Sequence, residues 1–335
     1  MTAQDFQAEK AIVRAHNTAI DAAGVEDVAG AMAVRVAPSY HWRGMHPFDA
    51  LEGSDAVATK FWGPLKRAMG PLQRRPDIFM AGQNWVDDFA TTWVVEMGHL
   101  MGLWETPWLG LGPSNRIAFL RYVEFHRVED GRIAETATYL DVLGLLNQAG
   151  YQPLPPQTGA SILSPGPRTH DGLLTDVHDP AEGRATLDLI NAMVSDLVGG
   201  GVESPGDHMA KFWTSDMCWF GPAGIGASAF YRGYQRGHSQ PFEEGLEYVR
   251  HNGHQCRIGE GNFGGFFGYP SLTVKNSGGY MGLPASDREA DMRIVDLYRR
   301  EGNKLTENWI FIDILHFLKM QGLDVLARLR EYPRL

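Results

Sequence analysis

Cysteine is nearly missing from this sequence, with only Cys218 and Cys256 among 335 residues. The two carry no C-x-x-C spacing and cannot build a disulfide scaffold, so both read as small hydrophobes of a reducing compartment. Positive charge is also scarce. Thirty Lys and Arg stand against forty Asp and Glu, a formal net charge of −10, and no basic run exceeds a pair. That balance argues against a sequence-independent hold on nucleic acid or on an anionic membrane surface. Long apolar runs are lacking as well, since no window approaches the ~18 uninterrupted apolar residues that a spanning helix needs. The opening MTAQDFQAEK places acidic residues where a signal peptide has a basic and then an apolar region. A soluble, cytoplasmic protein is the expectation. Twelve histidines include no H-E-x-x-H spacing, and His251, His254 and Cys256 lie too close together to supply three tetrahedral ligands from one strand entrance. No metal and no cofactor are expected.

What the chain has in plenty is glycine, 39 residues, and tryptophan, nine residues. Turns beside bulky aromatics suggest curved sheets around an aromatic-lined space. The chain also repeats itself. At a constant offset of 172, residues 121–150 and 293–322 share nine identities in thirty ungapped positions, from Arg121/Arg293 through Glu135/Glu307 and Asp141/Asp313 to Gly150/Gly322. Upstream the repeat persists at an offset of 177, with Trp42/Trp219, Gly44/Gly221, Pro64/Pro241 and Gly82/Gly259. A repeated unit of this length reads as two domains, 1–150 and 173–335. The Pro- and Gly-rich stretch 151–172 between them reads as a stiff, exposed connector.

Each unit opens with residues at helical spacing, 5–36 and 180–214, followed by a strand and turn at SYHWRG or DMCWFG. Further helix is expected at 55–68 and 228–250. Strands are then expected at 77–87, 91–102, 116–128 and 132–141, with counterparts at 254–267, 270–281, 288–300 and 304–313. Helices followed by consecutive antiparallel strands give an α+β class. On the closing strand, period-two reading places Glu135, Ala137, Tyr139 and Asp141 on one face of the first copy, and Glu307, Trp309, Phe311 and Asp313 on one face of the second. A charged, aromatic face in a strongly β-forming strand suggests that it looks into a pocket. Asn308, Ile310 and Ile312, on the other face, suit packing.

These features resemble two tandem SnoaL-like domains of the nuclear transport factor 2-like superfamily. The resemblance rests on the W-x-G opening strands (Trp42, Trp219), on the closing E-x-W-x-x-x-D strand, and on the apolar helix after it that stops at Gly322. The second copy carries the pattern intact, whereas the first has Ala137 in place of the tryptophan. The resemblance implies two cone-shaped α+β barrels, each a curved, mostly antiparallel sheet packed by N-terminal helices around a ligand cavity. For the polyketide cyclases of that family it implies an aspartate acting as general acid/base in an intramolecular aldol ring closure without a cofactor. Carried over by position, that aspartate is Asp313, with Asp141 as its counterpart. Domains of this kind commonly pair sheet to sheet, which implies an intrachain pseudo-dimer and leaves homo-oligomers open.

The candidate site is thus Asp313, Asp141 and His254 as acid/base groups, with Trp309, Phe311, Glu307, Tyr139, Trp219, Trp42 and His41 contacting substrate. Burial among aromatics raises a carboxylate's pKa toward the range a general base needs. Against this, Asp141 and Asp313 each precede an apolar helix and suit its N-cap. Glu135 and Glu307 suit ion pairs with Arg121 or Arg293 on the adjacent strand, and His254 suits an exposed turn. Trp104 and Trp108 sit in an extra loop that either lids a cavity or covers a partner surface. G-E-G-N-F-G at 259–264 runs into strand rather than helix, which removes the dinucleotide reading. The leading function is a cofactor-independent, polyketide cyclase-type enzyme acting on a mid-sized apolar carbonyl compound. The alternatives are a non-catalytic small-molecule-binding module and an epoxide hydrolase or ketosteroid isomerase-like enzyme, for which Asp291 and Arg293 stand near Asp313.

Overall fold

A computed structural model describes residues 5–198 and 205–331. The chain divides into two compact units. The N-terminal unit holds Asp5–Pro153, Thr169–Val177 and the stretch from Asp324 onward, and the C-terminal unit holds Leu154–Arg168 and His178–Leu323. The Pro- and Gly-rich stretch is thereby shared out. Trp309 Nε1 donates to the Pro165 carbonyl at 2.8 Å in the C-terminal unit, while Leu173 forms a parallel bridge with Phe79 in the N-terminal one.

The N-terminal unit is a curved sheet of six strands: β1 (Val36–Gly44), β2 (Ala50–Glu52), β3 (Gln73–Gln83), β4 (Thr92–Trp104), β5 (Arg116–Glu129) and β6 (Arg132–Leu140). Their order is β2-β1-β6-β5-β4-β3. All neighbours run antiparallel except β1 and β6. Asp130 and Gly131, with φ of 49° and 72°, turn β5 into β6, the left-handed pair that a two-residue hairpin favours. Helix Gln7–Ala22 buries Val13, His16, Asn17 and Ile20, the i, i+3, i+4, i+7 stripe of a helix lying on a core.

Among the described residues the C-terminal unit has seven strands: β7 (Trp213–Phe220), β8 (Ala227–Ala229), β9 (Leu246–His251), β10 (Cys256–Glu260), β11 (Phe263–Asn276), β12 (Ala290–Glu301) and β13 (Lys304–Ile312). The order is β10-β11-β12-β13-β7-β8, with β9 added on β11. Here too the opening strand closes in parallel on the last one, β7 on β13. The class is α+β, as expected, but 246–251 is strand rather than the end of a helix, and the expected strand 254–267 is a tight hairpin of β10 and β11. G-E-G-N-F-G is that hairpin. A side chain at Gly259 would come within 2.6 Å of the Gly183 carbonyl, so the glycine is there to let helix Pro180–Val198 lie close on β10.

The two W-x-G motifs have one steric cause. A Cβ at Gly44 would sit 2.1 Å from the Trp42 ring, and a Cβ at Gly221 would sit 2.1 Å from the Trp219 ring. Each indole folds back over the glycine two residues on, and only glycine leaves room. A π-helical turn faces each indole, Ala58–Trp62 in one unit and Gln235–Ser239 in the other. Such turns are rare and gather at functional sites. In the first unit the turn stacks Phe61 on Trp42 at 5.3 Å; in the second it stacks His238 on Trp219 at 4.1 Å.

Candidate functional site

A cavity of about 420 Å3 opens within the C-terminal unit. Its apolar wall includes Met193 and Val194 of helix Pro180–Val198, Trp219 and Phe242, while Asp296, Tyr298 and Asn308 project into it from the sheet. Asp296 and Tyr298 lie two residues apart on β12, hence on one face, and Asn308 on β13 stands opposite Tyr298. Asn308 Nδ2 donates to Asp296 Oδ1 at 3.0 Å. Tyr298 is also hydrogen-bonded to the Asp296 carboxyl. Asp296 is only 8% exposed. Its burial pushes the carboxyl up from the ordinary aspartate range to about 7, against the opposing pull of the hydrogen bonds from Asn308 and Tyr298.

Two histidines of the cavity are held neutral. Burial depresses His238 to about 3 and His254, helped by Arg257 and His251, also to about 3. Tyr234 and Tyr298 are raised by burial. His254 stacks on Phe266 at 3.9 Å and its Nδ1 lies 2.7 Å from Arg257 Nη2. It therefore lies in the cavity wall instead of standing at an exposed turn, but as a neutral ring. Trp219, too, is in the wall.

The predicted face of the closing strand is the wrong one for this cavity. Asn308, Ile310 and Ile312, read as packing residues, line it, whereas Glu307, Trp309, Phe311 and Asp313 do not. Asp313 caps helix Ile314–Met320, accepting from His316 N at 3.2 Å, and its second oxygen meets Arg293 Nη1 at 3.2 Å. Asp141 caps helix Val142–Gln148 and accepts from Gly144 N at 2.8 Å. Glu307 accepts from Arg168 N at 3.1 Å and lies 3.8 Å from Arg299, its cross-strand neighbour. Glu135 pairs with Arg43 at 2.6 Å. Arg299 and Arg127, not Arg293 and Arg121, are thus the cross-strand partners of these glutamates. Trp309 stacks on Phe220 at 5.7 Å, and Phe311 and Tyr139 are buried. Asp291 accepts from Thr273 Oγ1 at 2.7 Å and, like Arg293, is outside the cavity wall, so no Asp–Arg–Asp set faces it.

In the N-terminal unit, the positions matching this cavity carry ions. Glu124 and Thr136 match Asp296 and Asn308 by the 172-residue offset. Arg74 reaches Asp21, Glu96 and Glu124 at 3.0, 3.0 and 3.1 Å. Tyr122 Oη donates to Glu96 at 2.6 Å and Trp42 Nε1 to Thr138 at 2.9 Å. Trp42 is therefore a buried member of a polar network. His41 is half-buried on β1, between β2 and β6, with Nδ1 2.6 Å from Glu52. Trp104 and Trp108 are buried too, so their rings are not displayed to a partner.

Sequence reading missed Asp296, Tyr298, Asn308, Tyr234 and His238. The signal for the first two was in I-x-D-x-Y at 294–298, an acid at alternate positions between large apolar groups. Among the described residues, no group of three or more His, Cys, Asp or Glu is arranged to hold a metal ion, and no helix is long and apolar enough to cross a membrane.

No protein-family model and no curated protein matches the sequence. Solved structures do match. A SnoaL-like, polyketide cyclase-like protein from Jannaschia sp. CCS1 is 17% identical with a TM-score of 0.37, covering 47% of this chain and 98% of its own. An NTF2-like protein from Burkholderia thailandensis E264 is 20% identical with a TM-score of 0.32, covering 43% and 97%. TsrD from Streptomyces laurentii is 21% identical with a TM-score of 0.34, covering 42% and 96%.

Proposed function

We propose that the C-terminal unit binds a mid-sized apolar carbonyl compound and acts on it by general acid/base chemistry, with Asp296 as the proton-transfer group. One observation carries this reading: a carboxyl in an apolar cavity whose pKa burial has moved to about 7. At that value both forms are populated near neutral pH, and a single group can take a proton and return it. The ionised Asp296 removes a proton from the carbon next to a carbonyl. In an intramolecular aldol ring closure, the resulting enolate carbon attacks a second carbonyl carbon of the same molecule. The proton on Asp296 then passes to the new alkoxide, which regenerates the carboxylate. Neutral Tyr234 supplies a hydroxyl donor for the oxygen on which charge builds. The chemistry needs no cofactor. This reading moves the acid/base role from Asp313, tied to a helix cap and to Arg293, to an acid on the neighbouring strand.

The test is α-proton exchange of 2-tetralone, an apolar bicyclic ketone, in D2O, followed by proton NMR. Wild type should exchange it faster than buffer, and Asp296→Asn should drop the rate by at least 100-fold toward the buffer value. Equal rates for the two proteins would refute Asp296 as the base. A rate for wild type equal to buffer would leave a non-catalytic binding module.

A further inference from the structure

The cavity has a second polar end, away from Asp296. Ser271 lines the wall on β11 and is only 3% exposed. Its Oγ is buried and makes no hydrogen bond among the described residues. Burying a hydroxyl without a partner is costly and uncommon, and such a group calls for an explanation. The backbone is shaped to put it there. β11 shifts register between Gly268 and Leu272, so Ser271 and Leu272, adjacent in sequence, both reach the wall. The Ser271 hydroxyl stands 2.0 Å from where a Cβ at Gly268 would be. Gly268 lies opposite Ile294, itself a wall residue. The hydroxyl thus occupies the cavity-side place that a side chain at 268 would fill. Beside it, on β9, His251 also lines the wall and has a buried Nδ1 without a hydrogen bond among the described residues.

Asp296 stands opposite Phe266, two residues further along the same strand pair. Two residue steps along the strand and one strand across give roughly 8 Å between the two polar ends.

We propose that Ser271, with His251, is a specificity-determining site that hydrogen-bonds a second oxygen function of the ligand. The ligand class is then a ring compound bearing two oxygen substituents at opposite ends, one for Asp296 and one for Ser271. The proposal rests on the cavity of the C-terminal unit being the binding site, and its test separates the two. Isothermal titration calorimetry with 1-naphthol and 1,5-dihydroxynaphthalene compares one oxygen with two on the same ring system. Wild type should bind the diol about five- to tenfold more tightly, the usual range for one net hydrogen bond. Ser271→Ala should abolish that preference, leave 1-naphthol affinity unchanged, and melt no lower than wild type, because it removes only an unpartnered hydroxyl. A structural role for Ser271 instead predicts a lower Tm and an unchanged preference, and either result overturns the proposal. Equal binding of the two probes by wild type also overturns it, while leaving the cavity as the binding site. If neither probe binds, both readings fall. Loss of the preference in Ser271→Ala, with Asp296→Asn indifferent to both probes, supports the Ser271 end and sinks only the role of Asp296.

Discussion

Replacing Asp296 by Asn should make the protein more stable at alkaline pH while leaving it nearly unchanged in acid. The sign follows from linkage. Burial raises the native pKa of Asp296 from 3.8 to about 7, so between those values the folded state holds a proton that the unfolded chain releases. Stability contributed by this group is fully present below the unfolded pKa and is lost as pH rises through the native one. The loss runs at about 1.4 kcal/mol per pH unit over about three units, or ~4 kcal/mol in all. Asparagine keeps the shape, accepts from Asn308 and never ionises. The stability difference, variant minus wild type, should therefore climb at about 1.4 kcal/mol per unit between pH 4.5 and 6.5 and flatten above pH 7.5. Urea titrations of both proteins at half-unit intervals read this directly, because every other titrating group cancels in the difference. A difference that stays flat from pH 4.5 to 7.5 would refute the claim that burial raises the Asp296 pKa, and the acid/base role would fall with it.

Other expectations follow from the same geometry. Asn308→Ala removes a hydrogen bond that favours the ionised carboxyl, so the pH at which 2-tetralone exchange reaches half its maximum should move upward; a downward move would contradict the bonding pattern. Gly221→Ala forces a methyl group to within 2.1 Å of the Trp219 ring and should cost about 1–3 kcal/mol in urea unfolding, with a change in tryptophan emission as the indole shifts. Arg74→Met strands buried Glu96 and Glu124 without their cation and should cost about 3–5 kcal/mol of unfolding free energy, measured by urea titration. Asp313→Asn weakens the contact with Arg293 while keeping a capping oxygen for His316 N; it should lower Tm yet leave the exchange pH profile in place, and a shifted profile would return Asp313 to the chemistry.

The fold was legible because its signals are local. Period-two strands, the hairpin at Asp130–Gly131 and the paired W-x-G motifs each reflect constraints within a few residues. The site was less legible because alternation along a strand names two faces and does not say which one is hollow. Trp309 looked like a ligand contact, yet its indole is committed to the Pro165 carbonyl, 144 residues away in sequence. Asn308, a small polar residue between bulky ones, was dismissed as packing. Strand β9 was hidden because LEYVRH follows a broken helix and pairs only with the far end of β11.

The two units show how the same positions can yield either a packed interior or a hollow one. By the offset of 177, Arg74 corresponds to His251 and Phe61 to His238. By strand pairing, Glu96 stands opposite Glu124 where Phe266 stands opposite Asp296. In the first unit, two carboxylates facing each other across the sheet require a cation, and Arg74 supplies it from β3, its guanidinium filling the space beside them. In the second, one carboxylate is replaced by a phenyl ring and the arginine by a shorter, neutral imidazole. The lone acid then has no cation bonded to it among the described residues, burial raises its pKa as it raises that of Glu124 even beside Arg74, and the volume the guanidinium would occupy is left open. The missing cation and the cavity are therefore two results of the same exchanges. Putting arginine at 251 should reverse both: His251→Arg is expected to draw the Asp296 pKa downward and to shrink the space for 1-naphthol. Calorimetry together with the urea pH series on this variant tests the coupling. A variant that loses 1-naphthol binding yet keeps the pH-dependent stability penalty at Asp296 would show that volume and charge are set independently.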